Sequence, residues 1–235
     1  MSARAGNKIL IMSVILAGAA VVAGLIMGKL QLIHENWGIC AALLLSIALL
    51  VFFASFEGSK VSSREVGVIA VLAALAAVAR VPFAPIAGVQ PTTFLVMVSG
   101  YVFGARSGFM VGAIAALASN FFMGQGPWTP FQMLFWGLIG ASAGLLGVVR
   151  PNASRAVMVS FGIIWGYLFG WLMNLFLVVV FIKPLTWKTV FLAYAASFPM
   201  DTMHALSNVC FYLLLGPQVI KVLRRFREKM TYVEI

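Results

Sequence analysis

The sequence predicts an all-α polytopic membrane protein: a six-helix core preceded by two extra transmembrane helices. Two observations carry this. Hydrophobic residues make up 63% of the chain and charged residues only 9%, against about 25% charged in soluble domains. Apolar runs of span length then follow one another from end to end, separated by short basic or Pro/Gly-rich connections. Backbone groups in lipid find no water to bond, so such runs must be helical. The net charge of +10 does not point to nucleic acid. Lys and Arg sit in the connections, where they act as orientation signals.

Ile9 to Met27 is the first apolar run, close to the roughly 20 residues a span needs. It exceeds the apolar region of a secretion signal and a second run follows, which favours an anchor helix. Lys29 to Trp37 is a polar turn, and Gly38 to Phe56 is the second span. Together they define an N-terminal two-helix extension over 1–58. The linker Glu57–Arg64 separates it from a membrane core over 59–220. A basic tail, 221–235, closes the chain.

The core opens with Glu65 to Val78, rich in alanine. Ala70/Ala74 and Ala73/Ala77 are i,i+4 pairs, a spacing that lets another helix approach closely in lipid. That helix belongs either to this chain or to a partner membrane protein. Arg80 to Pro91 is a loop with Pro82, Pro85 and Pro91; Thr92 to Gly104 and Ser107 to Phe122 are spans. In the latter, Gly108, Gly112 and Ala116 recur every fourth residue. The stretch Asn120–Trp136 breaks the apolar pattern with Gly124, Gly126, Pro127 and Pro130. Thr129 is placed as an N-cap, with Pro130 in the first turn and Gln132 at the capping-box position. This is either a tight turn or one wall of a ligand site.

Phe131 to Val149 and Ala156 to Ile182 follow; on the second, Tyr167, Trp171 and Asn174 share a face. Lys183 to Ala196 reads as a loop plus a short interfacial or re-entrant helix. The last span then starts at Ser197-Phe198-Pro199 and runs to Gly216-Pro217. Alternating sides places every Lys and Arg on one face except Lys29, Arg80, Lys183 and Lys188. The positive-inside rule puts that face, and both termini, in the cytoplasm of a plasma-membrane protein. Loops 80–91, 123–130 and 183–197 then share the outer face.

Those loops and the adjoining helix ends carry the candidate substrate-binding residues: Gln90, Thr92, Asn120, Gln125, Trp128, Thr129, Gln132, Trp171, Asn174, Asp201, His204 and Asn208. Phe131 adds a ring. Asp201, His204 and Asn208 stand on one face of the last helix, and Asp201 is the only acid inside an expected span. An ionisable residue at membrane depth points to function, although an acid one turn from a helix start also caps it favourably. Catalytic and metal signatures are missing: there is no CxxC, HExxH or P-loop. Cys40 and Cys210 read as small core residues. We therefore expect a binding protein rather than an enzyme, without a cofactor or metal. A stand-alone proton-coupled carrier using Asp201 and His204 is the alternative, and a membrane enzyme or scaffold a third.

Residues 59 to 225 resemble the substrate-binding S component of energy-coupling factor (ECF) vitamin transporters. The likeness rests on six spans in a compact core, the alanine-rich first core helix, the stretch G124-Q-G-P-W-T-P-F-Q-M133, and the helix D201-T-M-H-A-L-S-N208. The two polar motifs are similar to a subgroup taking up cobalamin or a related ring-containing vitamin or precursor. The resemblance implies high-affinity capture of a vitamin-like solute outside the cell. It implies docking on a transmembrane coupling subunit carried by two cytoplasmic ATPases, with Ala70, Ala74 and Ala77 as the docking surface. Residues 1–58 depart from the pattern.

Overall fold

A computed structural model describes residues 63–231, together with 41–43, 45–50 and 53. The expected first span and nearly all of the linker lie outside the described residues; of the second span, 41–43, 45–50 and 53 are helical, and Leu49 is buried.

From Ser63 on, the chain is a succession of helices, with no strand among the described residues. They are α1 (Ser63–Phe83), α2 (Pro91–Phe103), α3 (Ala105–Met123), α4 (Thr129–Val149), α5 (Arg155–Phe181) and α6 (Trp187–Thr231). By length and composition, α4, α5 and α6 suffice to cross a membrane, and α2 is a shorter apolar helix. The burial pattern agrees with lipid as the surrounding medium. Val71, Val78, Ile164, Leu175 and Leu214 are at least 53% exposed, while Arg80, Asn120, Asp201, His204 and Asn208 are at most 6% exposed. A water-soluble domain shows the reverse.

Close approach through glycine sets the packing. A Cβ on Gly140 of α4 would stand 2.0 Å from the carbonyl oxygen of Gly108 on α3, and one on Gly112 would stand 2.2 Å from that of Trp136. The four-residue spacing on α3 is thus an internal seam with α4. A second seam joins α5 to α6: Gly162, Gly166 and Gly170 face Asn208, Ala205 and Asp201 in turn.

Hydrogen bonds define two ends. At one, the Tyr101 hydroxyl donates to the carbonyls at Arg150 and Pro151 and accepts from the Ala153 amide. Arg224 binds Pro151 there, and Arg227 binds the Val102 carbonyl at 2.6 Å. This is the basic end. The opposite, loop end carries 84–90, 124–128 and 182–186.

Three sequence expectations change. First, the loop before the last span is confined to 182–186, and no separate short helix follows it. Thr186 accepts from the Thr189 amide at 3.2 Å, starting one helix that continues through Pro199 and Pro217 to Thr231. A proline removes one backbone donor, a loss that membrane helices tolerate when packing is maintained. The basic segment is therefore helical as far as 231. Second, α1 continues to Phe83 with Pro82 in its final turn, so Arg80 is a buried helical residue instead of a loop charge. Third, Trp128 occupies the N-cap position of α4 without a side-chain cap. Thr129 lies inside the first turn, and its hydroxyl turns back to the preceding loop.

Candidate functional site

The polar residues of the loop end form two groups. The first joins α1, α3 and α4. Arg80 Nη1 donates to Ser119 Oγ and Asn120 Oδ1, each at 2.8 Å. Asn120 Nδ2 donates to Thr129 Oγ1 at 3.0 Å and Gln132 Oε1 at 2.7 Å. The Thr129 hydroxyl donates to Gln125 Oε1 at 2.9 Å and accepts from the Gly126 amide. Gln125 Nε2 reaches the Leu117 carbonyl. Trp128 folds its ring over Gly126. Asn120 uses both ends of its amide, so it orients the whole group.

This group continues inward through aromatic rings. The Arg80 guanidinium lies 4.8 Å from the centre of the Trp136 ring, within cation–π range. Trp136 Nε1 donates to Thr93 Oγ1 at 2.9 Å, and Thr93 Oγ1 sits 2.8 Å from His204 Nε2. The indole can only donate. Thr93 Oγ1 therefore accepts from Trp136 and links it to the His204 ring. Phe169 meets the His204 ring edge-on at 5.4 Å and Trp136 at 4.6 Å. Loop 84–90 closes over this point. Gly88, at φ 80, is held so tightly that a Cβ would come within 2.5 Å of the Met200 carbonyl oxygen. Only glycine combines that backbone with that approach.

The second group lies between α5 and α6. Asn174 Nδ2 donates to Ser197 Oγ, and Ser197 Oγ is 3.1 Å from Asp201 Oδ2. The Asp201 carboxylate is laid against Gly170. Asp201 and His204 do not pair; each has its own partner. Asp201 is also far from the start of α6, so it does not cap that helix.

The remaining candidates hold helices together. Thr92 Oγ1 donates to the Ala76 carbonyl at 2.9 Å, and Asn208 Nδ2 donates to the Gly162 carbonyl at 3.0 Å. The Gln90 amide donates to Ser207 Oγ at 3.3 Å. Trp171 is 49% exposed, with its ring 6.2 Å from Tyr167. Phe131 packs on Phe176 at 4.4 Å. Of the alanines, Ala70 and Ala74 are exposed, whereas Ala77 is 3% exposed and faces the core. Sequence reasoning missed Arg80, Thr93 and Trp136. Thr93 and Trp136 sit in apolar runs where nothing marks them, and Arg80 stands next to Pro82 and Pro85, which read as a loop.

No curated protein and no solved structure matches the chain. A family model for the substrate-specific component of ECF transporters matches residues 64–223. That stretch contains all six helices from Ser63 onward apart from their outermost ends. It also contains both polar groups. The chain belongs to the family of ECF transporter substrate-specific components, and is a multi-pass membrane subunit that binds a solute for uptake.

Proposed function

We propose that the protein captures a vitamin or vitamin precursor at the loop end and delivers it with a separate ATP-hydrolysing ECF module. The observation that carries this is the Arg80–Asn120–Thr129–Gln132 group. It is a set of polar side chains converging from three helices inside an otherwise apolar bundle, beside the Trp136 and Phe169 rings. Small-molecule sites combine apolar walls with a few convergent polar groups in this way. The basic residues Arg64, Arg106, Arg150, Arg155 and Arg224 gather at the opposite end, which supports an outward-facing loop end and a cytoplasmic basic end. Ring-containing solutes, cobalamin among them, fit the aromatic walls in chemistry.

For the module, α1 offers the exposed small-residue pair Ala70 and Ala74. On the same helix, Gly67, Val71 and Leu75 line an apolar cleft of about 460 Å³ shared with Val222 and Phe226 of α6. Small residues allow another helix close approach. A proton relay between Asp201 and His204 has less support, because their hydrogen-bond partners differ.

The test is uptake in cells expressing the chain with and without the coupling subunit and its ATPases. We expect uptake only with the module. Uptake that persists without it and collapses with the proton gradient would establish the carrier reading instead. Ala74→Leu should leave solute binding unchanged and reduce module-dependent uptake about tenfold or more, since a bulky side chain holds the partner helix away. Normal uptake in that variant removes the docking surface.

A further inference from the structure

We infer that the captured solute carries a carboxylate, and that Arg80 receives it. This inference rests on the binding role proposed above and names the chemistry of its ligand.

Arg80 is 6% exposed, yet its partners are all neutral: Ser119 Oγ, Asn120 Oδ1 and the Trp136 face. Asp201, the buried acid of α6, is engaged with Ser197 and Gly170. No carboxylate pairs with Arg80 among the described residues. A buried charge is costly unless an opposite charge compensates it, and lipid on the outside makes the cost heavier. The protein retains the charge and supplies no anion.

The geometry of the guanidinium says where an anion would go. Both hydrogen bonds leave from Nη1. Nε is buried without a partner, and Nη2 has none among the described residues. Nε and Nη2 form one edge of the plane, the fork that matches a carboxylate with two parallel hydrogen bonds. Ser119 and Asn120 thus hold the group by its far corner, Trp136 supports one face, and the carboxylate-matching edge is left without a hydrogen-bond partner. Gln90 Oε1 and Asn208 Oδ1 are also buried without partners. Both are acceptors, suited to the N–H or O–H groups of a solute, and unable to pair with a carboxylate themselves.

The experiment uses the full-length purified protein in nanodiscs of zwitterionic lipid, with matched acid and neutral probes. These are nicotinate with nicotinamide, biotin with biotinamide and pantothenate with panthenol; cyanocobalamin and riboflavin serve as further ring-containing probes without a carboxylate. Binding is read by thermal stabilisation and calorimetry. We expect one acid to bind roughly ten- to a hundredfold more tightly than its neutral partner, the range of a charge-assisted pair. Arg80→Gln should remove that preference. Arg80→Lys, which keeps the charge and loses the fork, should retain only part of it. If Arg80→Gln does not fold, the acid-to-amide ratio in the wild-type protein still decides. Tight binding of cyanocobalamin, riboflavin or an amide, with no gain from a carboxylate, overturns the inference and leaves the binding role intact. Stabilisation by phosphatidylglycerol in the nanodisc with no response to any acid assigns the fork to a lipid headgroup and also overturns it. A wild-type protein that binds no probe of either kind overturns both readings.

Discussion

The bundle contains two glycine seams that differ in what they admit. Between α3 and α4 the glycines bring backbone against backbone: Gly108 meets Gly140, and Gly112 meets the Trp136 carbonyl. At Gly108, Gly112 and Gly140 the nearest atoms across the seam are backbone. Between α5 and α6 the glycines make a trough, and the side chains of Asp201 and Asn208 lie in it against Gly170 and Gly162. The same spacing therefore serves two ends. One seam fixes a distance between helices. The other makes room for polar groups at membrane depth, where they need both space and partners.

Breaking the first seam should have the largest effect. Gly140→Leu drives a side chain into backbone that cannot retreat, and overpacking of this kind costs about 3 kcal/mol or more. We expect little monodisperse protein on size-exclusion chromatography; a well-folded variant with an unchanged melting temperature would show that the seam tolerates separation. Asp201→Asn in the second seam should act on binding rather than folding. Solute affinity should fall at least tenfold, with the melting temperature nearly unchanged, and Trp128→Ala should behave similarly. Unchanged affinity in both variants would remove these residues from the site. Gly170→Ala sits between the two cases. The added methyl meets the Asp201 carboxylate, a side chain that can rotate away, so the stability cost should be about 1 kcal/mol, with a measurable loss of affinity. A folding defect as severe as that of Gly140→Leu would erase the distinction between the seams. The smallest effect should come from Thr92→Val. It removes one hydrogen bond to Ala76, about 1 kcal/mol, and leaves binding untouched; a variant that loses affinity would return Thr92 to the site.

Much of this was legible in the sequence. The apolar runs locate α2 to α5 closely, and the polar residues of Asn120–Gln132 do converge. What could not be read is pairing. Arg80 looks like a loop charge until Ser119 and Asn120 are brought beside it from forty residues away. Pro199 looks like a helix start because a proline in isolation favours one. In the bundle, Tyr194, Ser197 and Phe198 before it still contact Trp171, Asn174 and Tyr167 of α5, and α6 runs on. The trough on α5 was written in plain spacing at Gly162, Gly166 and Gly170, but Tyr167 and Trp171 beside it are larger and drew attention. Thr93 and Trp136 carry no mark at all, since their roles exist only in each other's company.

The length of α6 has a mechanical consequence. Its 45 residues span roughly 68 Å at about 1.5 Å per residue, well beyond a bilayer about 40–45 Å thick with its headgroups. Such a rod acts as a lever. His204 sits about one third of the way along it and Arg224 near the far end. A rigid rotation of roughly 10° about its midpoint would carry each tip through about 6 Å.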